Sequence, residues 1–183
     1  MLSLRTPQHS IRKRGRPARV TRTGVALLLG SLVGSGCDCA PKTRNPLDTM
    51  GKVTVRAKGH DFESWIADDE AERQRGLMFV TADQMTPPST GVERGMLFVF
   101  PNDQPANAGF WMKNTGIPLD IAFIRSNGEI VRILTMRPYD ESNYQPGAPY
   151  RFALEVNAGV FNRLGIARGD TFEIPATVLQ NAR

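Results

Sequence analysis

Hydrophobic and polar positions alternate along Lys52-Val-Thr-Val-Arg-Ala57, the period-two pattern of a strand with one covered face. Phe62 to Ala67, beyond the Gly59 turn, reads as its hairpin partner. The pattern then changes. Asp69 with Glu72 forms a capping pair that opens a short helix from Glu70 to Arg75, and Gly76 ends it. Gly95 to Phe100 is apolar at successive positions, as in a strand covered on both faces. Ala108 to Met112, Leu119 to Ile124 and Ile130 to Met136 follow as strands, the last two joined through the hairpin signal Ser126-Asn127-Gly128. Tyr150 to Val156 alternates again, Asn157 is placed to cap a helix from Ala158 to Leu164, and Thr171 to Ile174 reads as a final strand. Strands dominate without a β–α rhythm. The pattern predicts one α+β domain, a curved or barrel-like, mainly antiparallel sheet of about eight strands with two short helices.

The two ends of the chain differ in character. The first 37 residues carry seven Lys or Arg and no Asp or Glu. Setting those seven aside leaves 16 basic and 18 acidic residues, so the whole-chain charge of +5 belongs to the leader. The basic balance therefore carries no nucleic-acid signal. Behind the basic stretch, Val25 to Gly36 is apolar or small, the layout of an export signal. The run is shorter than the roughly 20 residues that cross a bilayer as a helix. Gly34-Ser35-Gly36 before Cys37 resembles a lipobox, in which the cysteine takes a lipid and becomes the mature N-terminus. An ordinary secretory peptide cut nearby and an uncleaved anchor are the alternatives. The reading is residues 1–37 as a lipoprotein-type export signal, 38–51 as a flexible linker, 52–179 as the domain and 180–183 as a tail. The expected location is the bacterial cell envelope, membrane-anchored through Cys37 and facing the periplasm.

Few chemistries suit the folded part. It has no cysteine, and His60 is its one histidine, which argues against a Cys nucleophile, a Ser-His-Asp triad and a Cys/His zinc site. Gly165 to Gly169 lacks a phosphate-loop lysine and follows a helix instead of preceding one. Met78, Met96, Met112 and Met136 lie in apolar runs and read as core, so neither a metal nor a cofactor is expected. The unusual block is Phe110 to Ile124, which sets Lys113, Asn114 and Asp120 among apolar residues. A buried charge without a partner is costly, so these groups are either paired or held in a pocket. On strand periodicity Trp111, Lys113 and Thr115 share a direction, an arrangement suited to gripping a sugar or planar ligand. Glu155 joins the candidates if its strand neighbours that of Asp120. The competing reading is structural, with a Lys113–Asp120 ion pair, an Arg151–Glu155 pair and a half-buried core tryptophan.

Six blocks occur in order: Glu72-Arg-Gln-Arg-Gly-Leu-Met78, Gly95-Met-Leu-Phe-Val-Phe100, Phe110-Trp-Met-Lys-Asn-Thr115, Ile117-Pro-Leu-Asp120, Ala153-Leu-Glu-Val-Asn-Ala-Gly159, and Gly165-Ile166 with Gly169-Asp170. Over roughly residues 52 to 175 the chain resembles the domain-of-unknown-function family 192 (DUF192; uncharacterised protein family 0127). The resemblance implies a compact β-rich domain, often exported in bacteria, and no defined reaction. It departs where the family often carries Arg two residues after the Gly-Leu-Met methionine, since Val80 stands there. The functional expectation is a non-catalytic module binding a small ligand or an envelope protein through Trp111, Lys113, Asn114, Asp120 and Glu155. A metal-independent hydrolase or lyase using Asp120 and Glu155, and an envelope assembly factor, are the alternatives. Replacing Cys37 by Ser is expected to abolish labelling by an alkyne fatty acid and to move the protein from the membrane to the soluble fraction. Unchanged labelling would exclude Cys37 as the lipid site.

Overall fold

The computed structural model describes residues 45–183. The expected export signal, Cys37 and the start of the linker lie outside the described residues. Within them run β1 (Lys52–Ala57), β2 (His60–Ala67), α1 (Glu70–Arg75), β3 (Val92–Gln104), β4 (Leu119–Ile124), β5 (Ile130–Met136), β6 (Tyr150–Asn157) and α2 (Val160–Arg163). Single 3-10 turns, Leu47–Thr49 and Ala176–Leu179, flank them. The strands form one sheet in the order β1-β2-β3-β6-β4-β5. Neighbours are antiparallel except β2 and β3, which are parallel and need the crossover that α1 and residues 76–91 supply.

The sheet is covered on both faces. Met96, Phe98, Ile121, Phe123 and Ala153 belong to one core cluster, with Leu77, Met85 and Met112 packed over them. Leu97, Val99, Ala122, Ile124, Phe152, Leu154 and Val156 belong to the other, with Phe62, Phe161 and Phe172. All six residues of β4 are buried, which explains its continuous apolar run. Edge-to-face aromatic contacts stiffen the first cluster: Phe98 with Phe110 at 4.9 Å and Phe123 with Tyr150 at 5.1 Å between centroids.

Several local expectations are corrected. The sheet has six strands and is not closed into a barrel, since its edges β1 and β5 do not pair with each other. Residues 171–174 form no strand; they touch both edges through single bridges, Thr171 with Glu129 and Glu173 with Arg56. Ala108 to Met112 is not a strand either, because β3 and β4 already have neighbours on the sheet. The segment instead ties to another loop through a Phe110–Tyr144 bridge. There Gly109 is required, as a Cβ would lie 2.5 Å from the Tyr144 carbonyl oxygen. Asn157 does not cap α2. It closes β6, and its side chain donates to the Met85 carbonyl at 2.8 Å, while Gly159 in the left-handed region (φ 85°) starts the helix. The chain is also packed earlier than the expected linker end, with Asn45 and Leu47 buried.

Gly95 sits where β3 meets β6, and a Cβ there would lie 2.7 Å from the Glu155 carbonyl oxygen. Gly95→Ala is expected to destabilise the domain by about 1–3 kcal/mol, read as a lower urea midpoint at unchanged m-value. An unshifted midpoint would mean that the β3–β6 spacing yields freely.

Candidate functional site

The site begins with α1. Asp69 accepts the Glu72 N–H at 2.8 Å, and Glu72 reaches back to the Asp69 N–H, a complete capping box. The helix is six residues long, too short to hold by its own propensity. Arg73 holds it down. Its Nη1 donates to the carbonyls of Asp68 (2.7 Å) and Val99 (3.0 Å), Nη2 donates to Glu70 (3.3 Å), and the guanidinium carbon lies 5.4 Å from the Phe100 ring centroid. The remaining donor, Nε, is buried and without a partner.

Opposite α1 runs the 108–116 segment, shaped by backbone ties between loops. Phe79 N–H donates to the Asn114 carbonyl (2.8 Å), Met112 N–H to that of Asp140 (2.8 Å), and Tyr139 N–H to that of Thr115 (3.0 Å). Asp140 accepts the Ser142 N–H (2.9 Å) and the Tyr144 hydroxyl (2.8 Å), and these bonds, with Arg137, hold its carboxyl well below the usual range. Three of the four non-glycine residues with positive φ among the described residues lie here: Phe79, Asn114 and Tyr139. Such conformations cost of order 1–3 kcal/mol each and collect at functional sites. The segment is not a strand, so Thr115 turns inward and is buried while Trp111 and Lys113 stay out. Lys113 Nζ lies 5.0 Å from the centroid of the Trp111 ring, and Trp111 is 48% exposed.

Between these two walls lies a cleft of about 370 Å³ whose apolar lining comes from Phe98, Phe100, Phe110, Trp111 and Tyr150. Arg73, Gln74, Phe98, Phe110 and Trp111 also line a narrow extension of about 30 Å³ that reaches Met78, Lys113, Thr115 and Glu155. Glu155 is 4% exposed, and no described residue makes a hydrogen bond to its carboxyl. Burial pushes that carboxyl up to about 8.

The sequence candidates separate in space. Trp111, Lys113 and Glu155 meet at the cleft. Asn114 stands beside it, its carbonyl taken by Phe79 and its amide 3.9 Å from Met78 Sδ. Asp120 is elsewhere. In the β4–β6 register Ile121 faces Glu155 and Asp120 faces Val156, so the two carboxylates lie on opposite faces of the sheet and do not form an acid–base pair. Asp120 is structurally satisfied, accepting from the Thr135 hydroxyl (2.7 Å) and the Gly159 N–H (2.8 Å). Neither expected ion pair forms. Arg151 and Glu155 are four strand residues apart, roughly 13 Å, and Arg151 lies 3.6 Å from Asp103 instead. Arg73, Gln74, Phe100 and Tyr150 were not singled out from the sequence. Nothing local marks them, because the cleft exists only once α1 is folded against β3.

Glu155 gives the stability of the domain a defined pH dependence. A carboxyl at about 8 in the folded state and 4.5 unfolded imposes no penalty below the lower value; the penalty grows as pH rises between them and is constant above. Glu155→Gln is therefore expected to gain on the parent steadily across that window, by at most roughly 5 kcal/mol or on the order of 10 °C in Tm. Melting curves across the pH range check this, and parallel curves for the two proteins would contradict it.

Comparison with known proteins gives this arrangement a family. A crystal structure of a protein of unknown function from Novosphingobium aromaticivorans DSM 12444 is 36% identical, with a TM-score of 0.59 over 71% of this chain and 90% of that one. One of a candidate transcription regulator from Sinorhizobium meliloti 1021 is 38% identical, with a TM-score of 0.60 over 68% of this chain and 94% of that one. Domains of this size thus stand alone as crystallised chains. No curated protein matches. The DUF192 profile, described as an uncharacterised ancient conserved region, matches residues 52–174, and the chain belongs to that family.

Proposed function

We propose that the chain is an exported envelope protein, tethered through a lipid on Cys37 and facing the periplasm, whose domain binds a small amphipathic ligand without transforming it. The site is the cleft between α1 and the 108–116 segment. The observation that carries this reading is Trp111, half out of solvent at the edge of an aromatic-lined cleft. Leaving about half of a ring of roughly 200 Å² in water forgoes on the order of 2 kcal/mol of hydrophobic stabilisation. A concave apolar surface with a few converging polar groups is the usual form of a small-molecule site. Strained backbone at Phe79, Asn114 and Tyr139 around the same segment supports it. The acid–base alternative has no common pocket for Asp120 and Glu155 to act in.

Trp111 is also the reporter. The other tryptophan, Trp65, is 6% exposed in the core. Titration of residues 45–183 with small aromatic and sugar probes is expected to change the Trp111 emission, and Trp111→Ala to weaken the responding probe about tenfold by calorimetry, some 1.4 kcal/mol. Probe binding that survives the substitution unweakened would move the ligand out of the cleft. Binding only to a folded envelope protein would favour an assembly role.

A further inference from the structure

We infer that the ligand is a primary amine carrying an apolar body, with its ammonium group seated on the Glu155 carboxylate. This rests on the reading of the cleft as a binding site and goes on to name the chemistry it selects. A carboxyl that is almost wholly buried, faces an opening and has no hydrogen-bond partner among the described residues is uncommon, since buried polar groups are nearly always paired. Asp120, on the other face of the same sheet, shows the usual outcome, with both oxygens bonded. Glu155 is built into the centre of the sheet between Met96 and Ile121, which supply no donor.

The size and walls of the extension select the group. Its ~30 Å³ holds one or two water-sized atoms, enough for an ammonium nitrogen and too little for a carboxylate or phosphoryl group. Phe98, Phe110 and Trp111 present aromatic rings, which favour a cation over an anion. The Thr115 hydroxyl, donating to the Lys113 carbonyl at 3.1 Å, keeps its lone pairs to accept a second ammonium hydrogen. The aromatic main cleft then takes the apolar body.

The cations already lining the extension do not fill this role. Arg73 is held by the Asp68 and Val99 carbonyls and by Glu70. Lys113 lies over Trp111, and Arg75 has a partner of its own. None of the three forms a salt bridge with Glu155. Gln74 is the remaining polar side chain of α1 there, bonded to Glu70 at 2.8 Å. Binding an ammonium requires the ionised carboxylate, so the empty site gives up its proton as the amine enters. Affinity for an amine therefore rises with pH toward the value of about 8 at which Glu155 ionises; a ligand that accepts a hydrogen bond from the protonated carboxyl behaves in the opposite way.

The test uses three probes with one body and different heads: 2-phenylethylamine, 2-phenylethanol and 3-phenylpropionate. Each is titrated into residues 45–183 by calorimetry between pH 6 and pH 8, a span that ends where Glu155 is half ionised. The amine is expected to bind at least about tenfold more tightly than the alcohol at the upper pH, with the preference shrinking as pH falls. Glu155→Gln is expected to erase the difference between amine and alcohol. An alcohol or carboxylate that matches the amine, or an amine preference that survives Glu155→Gln, overturns the amine assignment and leaves the cleft in place. If none of the three probes binds, both the cleft and its ligand class are wrong.

Discussion

Strand β6 lies between β3 and β4 and is covered on both faces, and this double burial governs everything around it. A polar side chain buried in the middle of these strands, as Asp120 and Glu155 are, cannot reach bulk water freely, so it must be bonded inside the protein or be left neutral. Asp120 and Glu155 meet that constraint differently. Asp120 takes the Thr135 hydroxyl and the Gly159 N–H, and by doing so sets the left-handed residue from which α2 starts. Glu155, one position away in register and on the opposite face, has no such partners and opens onto a cleft. Two acidic residues that look equivalent in a list of letters therefore have unlike roles.

The cleft owes its shape to the parallel pairing of β2 with β3. That pairing needs a crossover; its later part packs Leu77, Val80 and Met85 onto the sheet, and α1 supplies the wall beside the cleft. The helix is fixed less by its own turns than by the Arg73 guanidinium, which bridges the carbonyl before α1 and one in β3. The facing wall has no strand pairing and is held by backbone bonds exchanged between three loops. The strain of the domain outside glycine gathers in those loops, at Phe79, Asn114 and Tyr139. The cleft thus has the sheet as its floor, one wall clamped by Arg73 and one wall carrying the positive-φ residues, with Trp111, Lys113 and Glu155 lining its narrow extension.

Much of this was legible from the residues alone. The capping box of α1, the strands β1, β2, β4, β5 and β6, and the β4–β5 hairpin depend on neighbours within a few positions, so alternation, caps and turn residues reveal them. The oddity of Lys113 and Glu155 among apolar residues was visible for the same reason. Residues 108–112 and 171–174 carry strand-like letters, yet a strand also needs a continuous partner: the first segment meets only another loop, at Tyr144, and the second reaches the two edges of the sheet by single bridges. Asn157 is a good cap by type, but the Met85 carbonyl competed for its amide from 72 positions away.

For this protein the sequence by itself determined where polarity alternates, where α1 starts and stops, which residue types the folded part lacks, and the family to which the chain belongs. Tertiary structure alone decided the strand order, the parallel pair and its crossover helix, and the faces to which Asp120 and Glu155 turn. It also decided that Arg73, Phe100 and Tyr150 share a cleft with Trp111. The physical reason is one of range. Dihedral preference and periodicity act over a few residues, whereas register and enclosure are set by strands brought together from distant parts of the chain.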